Sequence, residues 1–363
     1  MSGKKKNPLD RRPLHQQIAG ILRDDIAKRL APGERLESEA ALATRFGVSV
    51  LTVREALSSL AEAGLVVRRH GSGTYVAEPG DRGHLAVLVD NDIANPRGSY
   101  FHLRIVRQLR ERLEASGATV RVYVGRGNPP GSTPERPNCP EFNADVDAGL
   151  ISGIAAVSVH AHPRWLKSLA RRGIAVVGDG AFEHGATVDH AALIDHGIAR
   201  LVEEGRRRIA VLGWGGAGRN DPQAVATRAA LKRHDVPARD GWIRFRAHQT
   251  LLGAGWEEVR ALWVAERERP DGLLITDDVL FADAQVAIAQ LGVEIPKKLM
   301  IVAHANLGAV RPPPFAAERL LFDPDSVADA LASMLLRLRA GEAVEPERVV
   351  VAPILQPSEA VTR

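Results

Sequence analysis

Apolar positions recur at steps of three and four near the start of the chain. After Pro13, the residues Leu14, Ile18, Ile21, Leu22, Ile26 and Leu30 fall on one stripe of a helix, and Pro32-Gly33 stops it. The next segment, LESEAALATRFGV, predicts a short helix with Ser38 as N-cap, Ala41, Leu42 and Phe46 inward, and Gly47 supplying a turn. Ser49 opens a third helix, VLTVREALSSLAEAG, whose buried face is Val53, Leu57 and Leu60 and whose stop is Gly64. Two short helices across a glycine turn make a helix-turn-helix, whose second helix can enter the major groove of DNA.

The pattern then shortens to a period of two. Leu65-Val66-Val67 and Thr74-Tyr75-Val76 flank Gly71-Ser72-Gly73, which predicts a β-hairpin with a glycine-rich tip crowded by Arg68, Arg69 and His70. Short, basic and exposed, this wing is expected to have no part in the core and to reach a phosphate backbone or minor groove. A polar linker, Glu78 to Gly83, follows. From there strands and helices alternate: HLAVLVD (84–90), RIVRQLRERLEASG (104–117), TVRVYVG (119–125), then GIAAVSV, IAVVGDG, RRIAVLG, DGLLITDD and KKLMIVAHAN with helical stretches between. This alternation predicts parallel α/β sheets with right-handed crossovers. Its length exceeds one doubly wound unit, so two lobes with a cleft are expected. The expected layout is a head at 1–79, a linker at 80–84 and a body at 85–363.

Charge sharpens that division. The chain holds 48 Lys and Arg against 44 Asp and Glu; residues 1–79 hold 13 and 9 of these, and the remainder holds 35 of each. All the positive excess therefore lies in the head, as expected of a polyanion-binding module on a neutral body. With 45% hydrophobic and 25% charged residues, the chain is neither wholly disordered nor collagen-like. Its one cysteine, Cys139, excludes an intrachain disulfide and fits a reducing, cytoplasmic setting. No run approaches the roughly 18 apolar residues of a membrane span, and MSGKKKNPLDRRPL lacks the apolar region of a secretory signal.

The segments PLHQQIAGILRDDI, PGERLESE, VSVLTVREALSSLAEAGLV and RRHGSGTYV together resemble the winged helix-turn-helix of the GntR family of bacterial regulators, from about Pro13 to Val76. The resemblance implies that Ser38 and Glu39 start the second helix, that Thr52 and Arg54 face DNA, and that His70 and Gly71 form the wing contact. With Arg45, Ser49, Val50, Leu51, Arg68 and Arg69, these make the candidate DNA-binding set. Two departures stand out: Ala40 and Val50 occupy places where the family usually has arginine. Arginine is the commonest bidentate reader of guanine, so the operator sequence should differ, with Val50 and Leu51 suited to thymine methyls.

Across 84–355, the segments LAVLVDNDIANP, TVDHAALIDHGIARLVEEGRRRIAVLG and PDGLLITDDVLFADAQVAIAQLGVEIPKKLMIVAHAN resemble the LacI/GalR effector-binding domain, which is related to periplasmic sugar-binding proteins. The resemblance implies first-lobe ligand contacts near Asp90, Asp92 and Asn95. It also implies a second-lobe contact at Asp277 with Asp278 capping the next helix, and a hinge-proximal polar residue at Asp323. Gln223 stands where an arginine is usual, and Ala303-His304-Ala305-Asn306 replaces the usual late-strand motif with its aspartate, which leaves Asn306 as the polar candidate. His160, at a strand end, and Trp214, after a strand at the expected cleft, complete the candidate effector set. The segment 125–143, rich in Pro and Gly, is expected to be a flexible surface insertion.

Other signals carry less. GWGGAG (213–218) matches a dinucleotide pattern, but Arg219-Asn220-Asp221-Pro222 interrupts before a helix begins, so it reads as a glycine-rich loop. His160 and His162 lack companions at metal-ligand spacing. No nucleophile elbow or phosphate loop occurs. No metal, cofactor or catalytic residue is therefore expected. The resulting expectation is a cytoplasmic, ligand-responsive regulator, a repressor by preference. It would act as a homodimer on a palindromic double-stranded operator and be released by a small polar effector of the carbohydrate kind. An activator of the same architecture, and a solute-binding or enzymatic α/β protein, are the alternatives.

Overall fold

The computed structural model describes residues 13–62, 64–69, 72–77, 83–90, 100–127, 134–160, 162–215, 220–247, 252–265, 268–309 and 314–357. It forms two compact units. Unit 1 takes Met1–Asp90, Arg110–Val177 and Ala332–Val344; unit 2 takes Asn91–Leu109, Gly178–Leu331 and Glu345–Arg363.

Unit 1 begins with α1 (Leu14–Lys28), α2 (Glu39–Phe46), α3 (Val50–Glu62), β1 (Val66–Arg69) and β2 (Gly73–Val76). Helix α2 starts where the Ser38 hydroxyl accepts the Ala41 amide at 3.2 Å, and ends where Gly47 takes the left-handed conformation, φ +66°. Most of the stripes predicted from spacing meet in one core: Ile18, Leu22 and Ile26 of α1, Leu42 of α2, and Val53, Leu57 and Leu60 of α3; Leu14, Ile21 and Ala41, expected on the same stripes, are exposed. The hairpin pairs Val66 with Val76 through to Arg69 with Gly73. Its base joins this core through Leu65, Val66 and Val76, so the expectation that the wing has no core role is corrected. Val66 and Val76 lie directly opposite each other, and one face of the ribbon is buried at that end while Arg68 and Arg69 remain exposed.

The rest of unit 1 is α/β. It contains β3 (His84–Val89), the end of α4 (Tyr100–Ala115), β4 (Val120–Val124), α5 (Pro140–Asp147), β5 (Ile151–Val157), α6 (Pro163–Arg171) and β6 (Ala175–Gly178). The strand order is β6-β5-β3-β4, with β3 parallel to both β4 and β5. The flexible insertion expected at 125–143 is corrected at its C-terminal end. Pro140 occupies the first turn of α5, where a missing amide costs nothing, and Phe142 of that helix is fully buried. Head and α/β part are stitched at two glycines. The Gly83 amide donates to the Gly64 carbonyl at 3.2 Å, and a Cβ on Gly64 would sit 2.4 Å from the Gly83 nitrogen.

Unit 2 contains the start of α4, β7 (His184–Val188), α7 (His190–Glu203), β8 (Ile209–Trp214), α8 (Pro222–Arg233), β9 (Ile243–Ala247), α9 (Ala254–Arg260), β10 (Gly272–Ile275), α10 (Asp278–Gln290), β11 (Met300–Asn306), β12 (Glu318–Phe322), the first half of α11 (Pro324–Arg339), β13 (Arg348–Val351) and β14 (Ile354–Gln356). Its main sheet has the order β14-β12-β11-β10-β8-β9. Pairing is parallel from β12 to β9, and β14 is antiparallel to β12. Alternate residues serve opposite faces, so the unbroken apolar runs follow from cover on both sides. Ala210, Leu212, Leu273 and Ile275 enter one core, while Ile209, Val211 and Leu274 enter the other. Helices α9 and α10 approach until a Cβ on Gly255 would lie 2.1 Å from the Leu280 carbonyl oxygen. Gly255→Ala is expected to cost about 1–3 kcal/mol by overpacking, read as a lower denaturant midpoint at unchanged slope.

Candidate functional site

In the head, the start of α3 is held and exposed at once. The Ser49 hydroxyl accepts the Thr52 amide at 3.1 Å and lies 2.9 Å from the Thr52 hydroxyl. This cap leaves Val50 and Leu51, 41% and 63% exposed, facing solvent, where apolar side chains lack any packing reason to be. Glu39, from α2, receives Arg54 at 2.9 and 3.1 Å; Arg68 of the wing donates to the Arg54 carbonyl at 3.0 Å. One carboxylate thus fixes the arginine of α3, and the wing closes against the same turn. Arg45 is used differently. It pairs with Asp25 of α1 at 2.8 Å and lies 3.5 Å from Glu37, which ties α2 to α1. Arg69 lies over the Tyr75 ring at 4.7 Å. Arg35, absent from the candidate set, bridges to Tyr75 and lies against Gly73, adding its charge to the wing. Its place inside the PGERLESE segment was the available signal. His70 and Gly71 lie outside the described residues, and Ser38 is the cap of α2.

In unit 2, a cavity of about 150 Å³ opens at the carboxyl ends of the parallel strands, where open α/β sheets bind ligands. Trp214 ends β8, Thr276 and Asp277 follow β10, His304 and Asn306 close β11, and Phe322 ends β12; Asp278 opens α10, His190 opens α7, and Phe101 and His102 open α4. Of the candidate effector residues, the structure brings together Trp214, Asp277 and Asn306. The capping role falls on Asp277, whose carboxylate accepts the Leu280 amide at 2.8 Å, and not on Asp278 as expected. Asp278 instead accepts from the Asn306 amide nitrogen at 2.8 Å.

Gln223 braces the wall rather than lining this cavity. Its side chain donates to the Trp214 carbonyl at 3.0 Å and accepts from the Thr276 hydroxyl at 3.1 Å. Asp323 caps α11 through the Asp325 amide and the Ser326 hydroxyl. Asp90 lies in unit 1, buried, where it accepts the Asn138 amide at 3.3 Å, and His160 is exposed. Asp92 and Asn95 lie outside the described residues. His102, His190, Asp179 and Asp278 line the cavity and were not among the candidate effector residues. Their shared signal is a polar side chain at a strand's carboxyl end or in the first turn of a helix.

The imidazoles of this cavity are held uncharged. Burial lowers the pKa of His102 and His304 below the usual imidazole value, and it lowers that of His190 to about 4, where the neighbouring His304 adds to the effect. Buried polar atoms also stand without protein partners: Nδ1 of His102 and His190, both ring nitrogens of His304, and Oδ1 of Asn306. Orphaned buried polar groups are costly, and four side chains sharing one cavity mark a place built for polar ligand atoms. A second cavity of about 450 Å³ shares His190 and Trp214 and is lined by Asp221 and the candidate Gln223 beside Ala191, Ile194, Pro222 and Ala226. Among the described residues no group of three or more His, Cys, Asp or Glu is placed to hold a metal ion.

Two parts of the chain match known families. Residues 14–76 match the family described as bacterial regulatory proteins, gntR family, and residues 198–358 match the periplasmic binding protein-like domain. Over 68 residues the chain is 50% identical to the mannosyl-D-glycerate transport/metabolism system repressor MngR of Escherichia coli, covering 18% of this chain and 28% of that protein. Over 83 residues it is 36% identical to the histidine utilization repressor of Klebsiella aerogenes, covering 23% and 34%. The chain thus spans about a third or less of these relatives' lengths. The LacI-family regulatory protein of Chloroflexus aggregans superposes with a TM-score of 0.62 at 15% identity, over 76% of this chain and 97% of that one. A complex titled transcriptional regulator CelR-cellobiose superposes at 0.61 and 16% identity, over 96% and 100%. The chain carries a GntR-type helix-turn-helix at its N-terminal end followed by a periplasmic-binding-protein-like domain, in the parallel α/β fold of LacI-family regulators.

Proposed function

We propose that the chain is a ligand-responsive transcription regulator, a repressor in its unliganded form. It works in a cytoplasmic setting as a homodimer on a palindromic double-stranded operator. Residues 1–79 act as the DNA-binding head, 80–84 as the linker and 85–363 as the effector-binding and dimerising body. The observation that carries the reading is the exposed start of α3. Val50 and Leu51 face solvent on the helix that carries Arg54, whose carbonyl receives Arg68 of the wing. That surface pairs apolar contacts for thymine methyls with cations for phosphates. The matched relatives named as repressors, and the sugar in the CelR complex, favour the same reading for head and body. Ligand in the unit 2 cavity then shifts the equilibrium between DNA-competent and DNA-incompetent states. A coupling of about 1–3 kcal/mol changes occupancy roughly 5–150-fold.

Gel-shift titration on the DNA upstream of the protein's own gene tests this. Specific binding that weakens steeply with salt is expected, and its absence overturns the reading. Arg68→Ala is expected to weaken binding alike on all sequences and to reduce the salt slope by about 1. Leu51→Ala is expected instead to relax the preference at one base pair, by about 1–3 kcal/mol or less, with the slope unchanged.

A further inference from the structure

The wing has a third strand-like edge beside its hairpin. Arg35 bridges to Tyr75 in the antiparallel sense, and the backbone on either side follows: the Leu36 amide donates to the Thr74 carbonyl at 2.8 Å, and the Val76 amide to the Glu34 carbonyl at 2.7 Å. Alternate residues of an extended chain face opposite sides. Leu36 turns inward and joins the head core with Val66 and Val76, so Arg35 turns outward and is exposed.

The pairing fixes what else stands on that outer face. Tyr75 lies opposite Arg35 on one side and Val67 on the other, and Gly73, two residues nearer the tip, lies opposite Arg69. Arg69 covers the Tyr75 ring at 4.7 Å. The Arg35 side chain runs from Tyr75 towards the tip because Gly73 leaves it room. A Cβ there would lie 2.9 Å from the Arg35 Nε and 3.2 Å from one terminal nitrogen.

The arginines of the head are committed differently on the two sides. Arg45 is paired with Asp25 and Arg54 with Glu39, while Arg68 is held by the Arg54 carbonyl with Glu39 at 3.9 Å. Among the described residues, Arg35 and Arg69 pair with no carboxylate, and the Arg35 guanidinium makes no hydrogen bond. An exposed guanidinium without a carboxylate keeps its whole fork of donors for a phosphate. The first turns of α2 and α3 supply no cation that could do this instead, since Ala40, Val50 and Leu51 stand there.

We propose, on the reading of the head as a DNA-binding module, that Arg35 is a further DNA contact: it pairs with a backbone phosphate from the outer face of the wing, beside Arg69, while Arg54 and Arg68 serve the side of α3.

The test is fluorescence anisotropy of the full-length protein on a labelled duplex of arbitrary sequence and on the DNA upstream of its own gene, each over a range of salt. One phosphate contact contributes about 0.9 to the slope of log affinity against log salt, which is roughly eightfold in affinity at about 0.1 M salt. Arg35→Gln is expected to lower the slope by about 1 and to weaken binding to both duplexes about five- to tenfold. Arg35→Lys keeps the charge and is expected to keep the slope. Arg29→Gln removes an equal charge from the end of α1, where Asp25 lies 3.6 Å away, and is expected to leave the slope unchanged. An equal loss of slope in Arg29→Gln means that net charge alone is being read, and overturns the proposal. Should Arg35→Gln fail to fold, phenylglyoxal modification of the wild-type protein reads the same contact. Bound duplex is expected to shield Arg35 and leave Arg29 reactive, as followed by peptide mass spectrometry. A wild-type protein that binds neither duplex overturns the DNA-binding reading and this contact with it. One that binds, with the slope unchanged in Arg35→Gln or with Arg35 still reactive in the complex, keeps the reading of the head and overturns the role of Arg35 alone.

Discussion

Leu57→Ala is expected to destabilise the head by about 3–5 kcal/mol and to abolish operator binding at physiological temperature. Leu57 is fully buried and belongs to the head core, which gathers residues of α1, α2, α3 and the base of the wing. Truncating such a leucine loses the transfer free energy of the removed carbons and leaves a cavity that the helices fill only in part. A head of this size has little stability to spare, since whole domains carry only about 5–15 kcal/mol. Scanning calorimetry should show a low-temperature transition moving down or disappearing while the main transition of the body is retained. An unchanged thermogram with intact DNA binding would show that the head does not depend on this packing.

Acidification is expected to destabilise unit 2 through its histidines. In the unfolded chain an imidazole takes up a proton near pH 6.5, whereas burial holds His190 unprotonated down to about pH 4. Between those values the unfolded state binds more protons than the native one, so stability rises with pH across that window. At one pKa unit per about 1.4 kcal/mol, the shift of His190 corresponds to a loss of about 3 kcal/mol once the pH has fallen through 4. His102 and His304 are shifted in the same direction. Urea midpoints measured at pH 6.5, 5.5 and 4.5 check this, with His190→Gln as the comparison. The variant should show a shallower decline, and parallel declines would mean that the surface carboxylate pairs dominate instead.

Much of this arrangement was legible in the chain because it is written locally. Spacing of three and four, with serine before each short helix and glycine after it, located α1, α2 and α3. The unbroken apolar runs at 209–212 and 272–275 announced strands covered on both faces. What escaped depended on distance. Two alternating apolar residues on each side of a turn do not say which face of a hairpin will be buried, so the wing's part in the core was missed. Helix α5 was hidden because Pro140, a breaker in most contexts, here takes the one turn that tolerates it.

The cavity was half visible. Trp214 could be named from its place after a strand, and Asp277 and Asn306 from the resemblance to the LacI/GalR effector domain. His102, Asp179 and His190 come from other elements, and no spacing in the sequence links them to residue 304. Gln223, named by its place in a pattern, hydrogen-bonds the Trp214 carbonyl and the Thr276 hydroxyl and lines the second cavity. Asp323, likewise, spends its carboxylate on the turn that starts α11.

The stitch between Gly64 and Gly83 bears on how such proteins can be recombined. A Cβ at Gly83 would lie 2.2 Å from the Leu150 carbonyl oxygen, and one at Gly64 would strike Gly83 itself, while both residues have positive φ. The seam therefore admits no side chain on either side, and it belongs to both modules at once. A head exchanged by cutting within residues 65–82 would carry one glycine and leave the other behind. Functional grafts between regulators of this build should therefore keep glycine on both sides of the joint, so that the boundary useful for making chimaeras is a matched pair of positions rather than a point in the linker.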